Sequence, residues 1–250
     1  MTSNITLIVI FTILALLFSP WYYQQKKYRK SKIDFENSNT YKMGSLGEDK
    51  IKKVFKTAFK YDDVYILKNL YLPKLLRGKA LRYSDELTEI DMVVIHHTGI
   101  YIIESKNYEG LIIGDSKLIY WQVHHQGFTK WLYNPLWQHG THIRAIRGQI
   151  DLDSYPFYSL IIFGEDAILS DIKYEASKNN FQVLHIAELK EFLNSKQKRS
   201  SFNKSLLSRN EMKMIYKELK RHTRISNKQI YIHSQAVLAK SKKKQLTSKK

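Results

Sequence analysis

The segment TEIDMVVIHHTGIYIIESK, residues 88–106, constrains the fold of this chain more than any other part of it. Two apolar runs with strand-like composition flank a short turn, and these runs carry Asp91, Glu104 and Lys106. An ionised group in a half-buried strand must stay in water or find a partner, because an unpaired buried charge is costly. The segment therefore predicts a β-hairpin whose charges require a structural or a chemical explanation.

A two-residue turn formed by His97 and Thr98 would place Asp91 directly opposite Glu104 in this hairpin. Lys106 would lie on the same face, because side chains two residues apart in a strand point the same way. Two opposed carboxylates destabilise a sheet unless positive charge lies between them, which a divalent cation would supply. The alternative is a simple salt bridge, in which Lys106 neutralises Glu104 and Asp91 points to solvent on an edge strand.

Several further motifs occur in a fixed order along the chain and together resemble the nuclease-related domain (NERD) family. The similarity covers roughly residues 42 to 150. The motifs are GE at Gly47 and Glu48, NLYLP at 69–73, ESKNYEG at 104–110, Trp121, and NPLWQHGTHIRAI at 134–146.

This resemblance implies an α/β (α+β) fold with a restriction-endonuclease-like mixed β-sheet flanked by helices. It also implies a magnesium or manganese site in which Asp91, Glu104 and the backbone carbonyl of Ser105 bind the metal. Lys106 would be the catalytic lysine. Glu48 and Gln138 match the auxiliary acidic and amide positions of the family. One departure is Ser105 itself, where threonine is frequent, but the contact expected there comes from the backbone.

The two auxiliary residues also have ordinary structural explanations. Ser45 and Glu48 form a capping-box pattern, which predicts a helix that begins there, so Glu48 could simply cap it. Yet Glu48 shares a helical face with apolar residues, which favours a position near the buried side. Gln138 follows a predicted cap at Asn134 and Pro135, and without the family resemblance a solvent-facing position would be favoured.

The remaining patterns predict that one domain continues after this core. Apolar runs at 64–70, 111–113, 119–123, 157–163 and 181–186 indicate strands of a single sheet, and residues 73–87 indicate a basic loop. Helices are expected at 188–194 and after a second capping box formed by Ser208 and Glu211. The paired histidines at 96–97, 124–125 and 139/142 are interpreted as polar surface or substrate contacts rather than zinc ligands.

The N-terminal segment predicts a single membrane-spanning helix. Ile5–Phe18 is uncharged and apolar, and the stretch 3–23 reaches the length that a bilayer needs. Basic residues crowd 26–32, whereas none precedes the run, so the positive-inside rule places the C-terminal domain in the cytoplasm. We expect a single-pass protein of the cell membrane; a cleaved signal peptide is the alternative.

The charge of the chain suits a polyanionic partner. Its 250 residues carry a formal net charge of +18, and the absence of cysteine excludes disulfides and thiolate metal sites. Basic residues near paired carboxylates favour nucleic acid, with DNA expected. The basic juxtamembrane and C-terminal segments could equally bind anionic lipid. Protein partners are not predicted.

The expected organisation is a transmembrane anchor at 1–24, a basic juxtamembrane linker at 25–41, a NERD-like nuclease core at 42–150, a completion of the same domain at 151–222, and a basic disordered tail at 223–250. The expected function is that of a membrane-anchored, metal-dependent nuclease that hydrolyses phosphodiester bonds of DNA or RNA. The alternative is a catalytically inactive scaffold that binds nucleic acid or protein at the cytoplasmic face of the membrane.

Overall fold

The computed structural model describes residues 19–20, 22–30, 39–76, 82–175, 180–200, 207–233 and 235. The chain divides into two compact units, one of which is Met43–Arg224. In the other unit, residues 22–30 and 227–233 are helical, and the rings of Tyr28 and Tyr231 lie 5.1 Å apart. Most of the predicted anchor at 3–23 lies outside the described residues. Within the described ranges, no helix combines the length and apolar character needed to cross a bilayer.

The helices and strands follow one another in a mixed order. The helices are α1 (Asn39–Ala58), α2 (Pro135–Arg147), α3 (Leu189–Ser200) and α4 (Arg209–Lys220). The strands are β1 (Val64–Leu76), β2 (Arg82–His96), β3 (Gly99–Lys106), β4 (Gly110–Asp115), β5 (Tyr120–His125), β6 (Phe128–Tyr133), β7 (Phe157–Phe163), β8 (Ala167–Lys173) and β9 (Phe181–His185). Single 3-10 turns occur at Leu152–Ser154, Ile186–Glu188 and Arg221–Thr223.

The described strands form two mixed sheets, which makes this a mixed α/β fold. The five-stranded sheet has the order β1-β2-β3-β7-β9, with β1, β2 and β3 antiparallel and with β3, β7 and β9 parallel. The four-stranded sheet has the order β6-β5-β4-β8. Strand β3 is therefore the central strand of the larger sheet, with a hydrogen-bonded neighbour on each side.

The predicted hairpin register is confirmed. His96 pairs with Gly99 across a turn of His97 and Thr98, and the pairing continues in step to Met92 opposite Ile103. Gly99 adopts φ +143°, and a Cβ there would lie 2.7 Å from the backbone oxygen of Pro156. The glycine that follows the turn is thus required by both its conformation and its close approach to the neighbouring chain.

The prediction that residues 111–113 and 119–123 extend the same sheet is wrong. The edge of β3 that these residues would need is taken by β7, from Ile100 opposite Phe157 to Lys106 opposite Phe163. Strands β4 and β5 instead belong to the second sheet, where β4 pairs in parallel with β8. Strand β8 is not predicted from the sequence, because four of its seven residues are solvent-exposed and it has no clear apolar alternation.

Three predicted boundaries also need correction. Helix α1 begins at Asn39 rather than Ser45, so the Ser45–Glu48 pattern lies inside a helix, where residues three apart share a face in any case. In the predicted basic loop at 73–87, residues 73–76 and 82–87 are strand, because β1 and β2 pair antiparallel there; residues 77–81 lie outside the described residues. Helix α3 extends to Ser200. The caps at Asn134 and Ser208 are confirmed: Asn134 accepts from the Leu136 N–H, and Ser208 forms a capping box.

The larger sheet has an apolar cluster on each of its two faces. Helices α1 and α3 cover one face, and helices α2 and α4 with the second sheet cover the other. On the first face the buried side chains include Ile51, Phe55, Met92, Tyr101, Ile103 and Leu193, and on the second they include Val93, Ile95, Ile102, Trp121, Ile143 and Ile215. Both faces of β2 and β3 are thus buried, which explains their near-continuous apolar sequence.

Two glycines provide a stability test of this packing. A Cβ at Gly114 in β4 would overlap the indole of the buried Trp121, whereas one at Gly44 in α1 has open space around it. We expect Gly114→Ala to lower the free energy of unfolding by about 1–3 kcal/mol through overpacking. Gly44→Ala should raise it by roughly 0.5–1 kcal/mol through helix propensity. Urea unfolding of both variants measures these changes, and an unchanged Gly114→Ala protein would contradict the described packing.

Candidate active site

Glu104 lies near the end of the central strand β3, with only 2% of its side chain exposed. It points to the sheet face that α2 covers. Its Oε1 accepts hydrogen bonds from Lys106 Nζ at 2.5 Å and from Gln138 Nε2 at 2.6 Å. Gln138 also accepts from Lys106 Nζ at 3.1 Å through its own Oε1. The three side chains therefore form a closed hydrogen-bonded triangle between β3 and the first turn of α2.

Asp91 lies on the neighbouring strand β2, one residue beyond the end of its ladder with β3. Alternation along β2 places it with Val93 and Ile95, which share a core cluster with Ile102 of β3. The Asp91 carboxylate is half-buried, and its Oδ2 accepts from the Ser105 N–H at 2.7 Å. The structure thus brings Asp91, Glu104 and Lys106 together, as the register predicted.

The salt-bridge alternative holds only in part. Lys106 does pair with Glu104. Asp91, however, is on an internal strand, because β2 lies between β1 and β3. Its carboxylate binds the backbone at Ser105 rather than pointing to solvent from an edge strand.

The pKa values at this site move in opposite directions. Burial and the nearby Glu104 raise the pKa of Asp91 well above its usual range, and Lys106 and the Ser105 N–H only partly oppose them. Burial also disfavours ionised Glu104, but Lys106 and His142 outweigh it, so the pKa of Glu104 falls below its usual value. Burial disfavours charged Lys106, but Glu104 and Asp91 outweigh it and raise the pKa of Lys106. The site therefore holds one tight ion pair beside a second carboxyl that resists ionisation.

Glu48 lies on the sheet-facing side of α1, close to this group. The adjacent Gly47 approaches Ser105, since a Cβ at Gly47 would lie 3.3 Å from the Ser105 Oγ. Glu48 Oε2 pairs with Lys68 Nζ at 3.0 Å, so the predicted capping role is replaced by an ion pair with β1. Burial raises the pKa of Glu48 despite this partner. The charge of Glu48 also contributes to the raised pKa of Asp91.

Two buried histidines on α2 complete the surroundings of Glu104. His142 Nδ1 lies 3.2 Å from Glu104 Oε2 and 3.4 Å from His139 Nδ1. His139 Nε2 lies 3.1 Å from the Ile102 carbonyl, which can only accept, so this nitrogen carries the proton. Burial and His142 lower the pKa of His139 to about 3, and the imidazole is therefore neutral. Its Nδ1 lone pair then faces His142 Nδ1, the atom that also lies close to Glu104 Oε2.

The expectation that these histidines are surface residues is wrong. His139 and His142 are fully buried, and His142 lies against the carboxylate of Glu104. The spacing of two histidines three residues apart on a helix was the available signal. That spacing does not predict Glu104 as their partner, because Glu104 lies on β3, far earlier in the chain.

The donors around Glu104 fit a divalent cation. Its Oε2 is buried, and among the described residues it makes no hydrogen bond of good geometry. The ligand atoms of Glu104, His139 and His142 all lie within 4.8 Å of one another. Asp91 offers a second carboxylate on the same sheet face, and carboxylate oxygens suit magnesium and manganese whereas imidazoles suit zinc-like ions. The metal-binding role predicted for the Ser105 carbonyl stays a prediction.

Known proteins give one clear match and two weaker ones. Residues 43–164 match the family model of the nuclease-related domain, NERD. An uncharacterized protein of Bacillus anthracis is 28% identical over 155 residues, which span 61% of this chain and 66% of the relative. A crystal structure of a protein of unknown function, AF1548, aligns over 75% of this chain and 95% of that one, with 10% identity and a TM-score of 0.30.

The Glu104–Lys106 pair can be tested as a stabilising interaction. We expect Lys106→Met to lower the free energy of unfolding by about 3–5 kcal/mol in EDTA buffer, because it leaves a buried carboxylate without its cation. The double variant Glu104→Gln/Lys106→Met should recover most of this loss. Urea unfolding measures both, with the exposed Lys130→Met as control. If Lys106→Met lowers the free energy of unfolding by less than about 1 kcal/mol, the ion pair does not stabilise the domain as expected.

Proposed function

Residues 43–164 of this chain form a nuclease-related domain, and from this premise we propose that the protein is a metal-dependent nuclease. Its substrate would be DNA, or else RNA, cut by hydrolysis of phosphodiester bonds. The observation that carries this proposal is the meeting of Asp91, Glu104 and Lys106 on one face of adjacent strands, beneath Gln138. A carboxylate pair beside a lysine is suited to holding a cation and an anionic phosphate at once.

Each side chain has a role that follows from its contacts. Asp91 and Glu104 would hold Mg²⁺ or Mn²⁺, with the Ser105 carbonyl as a third oxygen. A bound cation of this type would polarise the phosphate and lower the pKa of an attacking water. Lys106 would orient that water and offset negative charge that develops on the phosphate, and Gln138 keeps the ammonium in place through its Oε1. Glu48 would act at the margin of the site, where Lys68 already balances its charge.

We also propose that the larger sheet belongs to the restriction-endonuclease-like class. The support is architectural: a mixed sheet has helices on both faces and carries its acidic pair on adjacent strands. The acids lie where β2 and β3 separate, because their ladder ends at Met92 and Ile103. A phosphate backbone could approach the strands at that point.

A basic face on α1 supports nucleic acid as the substrate. Lys52, Lys53 and Lys56 lie along this helix and Lys60 follows its end; the last three of the four are exposed. Phosphate contacts by lysine supply affinity that does not depend on base sequence. The same basic character fits the alternative function, a catalytically inactive scaffold for nucleic acid or protein. That alternative is favoured by the internal satisfaction of Glu104, whose Oε1 is already bound by two side chains.

Isosteric variants test the catalytic proposal. We expect Asp91→Asn and Glu104→Gln each to reduce cleavage of plasmid DNA in magnesium buffer by at least roughly 100-fold, because each removes a negative charge from the proposed cation site. Lys106→Ala should have a comparable effect. The measurement is the rate of DNA cleavage by the full-length protein, with RNA as a parallel substrate.

Glu109→Gln is the matched control, since this carboxylate is exposed beyond the end of β3. Retained cleavage in an Asp91→Asn/Glu104→Gln double variant would refute the nuclease proposal. If the wild-type protein instead binds DNA in a salt-sensitive manner, without cleavage and without calorimetric binding of Mg²⁺ or Mn²⁺, the scaffold is the correct function.

We propose further that residues 3–23 anchor the protein in the cell membrane, with the nuclease-related domain on the cytoplasmic side. The support is the uncharged run Ile5–Phe18 and the basic cluster that follows it. Anionic lipid would then contact the basic segments on either side of the domain. We expect the full-length protein to resist alkaline extraction from membranes and to be digested by protease only in inside-out vesicles. Release by alkali, or digestion from the outer side, would refute this arrangement.

A further inference from the structure

A second group of potential metal ligands lies at the opposite end of β3, at the β2–β3 turn. Asp62 follows α1, His96 ends β2, and His97 is in the turn. The Asp62 Oδ2 atom lies 3.2 Å from His96 Nε2 and 3.8 Å from His97 Nε2. One ligand atom from each residue lies within 4.8 Å of the other two. Three donors of the kind that bind zinc thus converge on one small space.

The Asp62–His96 distance agrees with tetrahedral coordination. Metal bonds of about 2.0–2.1 Å place neighbouring ligand atoms of a tetrahedral zinc ion about 3.3 Å apart. The Asp62–His96 distance already has this value within 0.1 Å, and the Asp62–His97 distance exceeds it by 0.5 Å. His97 is one-third exposed and lies in a turn, so a small side-chain rotation would close the difference.

The surroundings of His96 hold its ring in one orientation. Its imidazole stacks on Phe59 at 3.7 Å with an interplanar angle of 4°. Its Nδ1 lies 2.8 Å from the Thr98 hydroxyl, which in turn lies 2.5 Å from the Tyr101 hydroxyl. Nδ1 also accepts from the Thr98 N–H at 3.3 Å, so Nε2 carries the ring proton and donates it to the Asp62 carboxylate at 3.2 Å. A metal ion at Nε2 would replace this proton, which would move to Nδ1, where the Thr98 hydroxyl can accept it. Polar partners of this kind commonly orient metal-binding histidines.

Asp62 is held in place as well. Gln197 of α3 donates to the Asp62 carboxylate at 3.3 Å.

We propose that Asp62, His96 and His97 bind a zinc-type divalent ion with three protein ligands and an open fourth position. The ion would join the end of α1 to the β2–β3 turn, and so would stabilise the domain at a place remote from Glu104. Two imidazoles and one carboxylate favour zinc, nickel or cobalt over magnesium.

The proposal is tested by titrating Co²⁺ into the full-length protein in a buffer with excess Mg²⁺ and no other transition metal. Zn²⁺ is added afterwards as a competitor. We expect a visible absorption spectrum of four-coordinate cobalt, one equivalent per chain, that Zn²⁺ abolishes. His97→Ala and Asp62→Asn should each weaken Co²⁺ binding by roughly 10- to 100-fold or more. His124→Ala, in a second histidine pair, should leave it unchanged and is the matched control.

Glu104→Gln separates this site from the buried group near α2. Cobalt binding that survives Glu104→Gln but not His97→Ala supports the proposal, and the reverse pattern overturns it. The absence of any cobalt spectrum also overturns it. A second measurement is thermal unfolding: Zn²⁺ should raise the Tm of the wild-type protein by several degrees, and the shift should disappear in His97→Ala. Unfolding in EDTA checks that the variant is folded.

Discussion

The burial of a charged carboxylate on the central strand organises most of this domain. Glu104 is surrounded on both sides by paired strands and is covered by α2, so water cannot solvate it. An ion in such a place is tolerated only when other groups replace its hydration. Lys106, Gln138 and His142 do so, and two of these three come from α2. The position of that helix is therefore tied to the charge of a single strand residue.

The same requirement explains why α2 carries so many polar groups on its buried side. An ordinary helix packed on a sheet would present leucine and isoleucine there, as this one does at Ile143 and Ile146. At three positions it presents polar side chains instead. Gln138 donates to Glu104, and His139 lies between His142 and the Ile102 carbonyl. Polar networks in a core are costly unless nearly all members are satisfied. Here the least satisfied atom, Glu104 Oε2, is one that a cation could use.

The sequence could predict what depends on local register. A two-residue turn and strand alternation were sufficient to place Asp91, Glu104 and Lys106 on one face, because every step in that argument concerns neighbours in one hairpin. Helix caps at Asn134 and Ser208 were equally local. Contacts between distant segments were not accessible. Examples are the parallel pairing of β4 with β8 and the contact of His142 with Glu104. Both join segments that are far apart in the sequence, so no short sequence pattern predicts them.

The contact between Asp91 and the Ser105 N–H links the chemistry of the site to the integrity of the sheet. At this point a side chain replaces the backbone acceptor that would otherwise continue the β2–β3 ladder. The exchange rate of this one amide with deuterated water would therefore respond to whatever occupies the Asp91 carboxylate, whether a proton, a cation or nothing. The protein thus contains its own spectroscopic probe of site occupancy, which needs no attached label and no substrate.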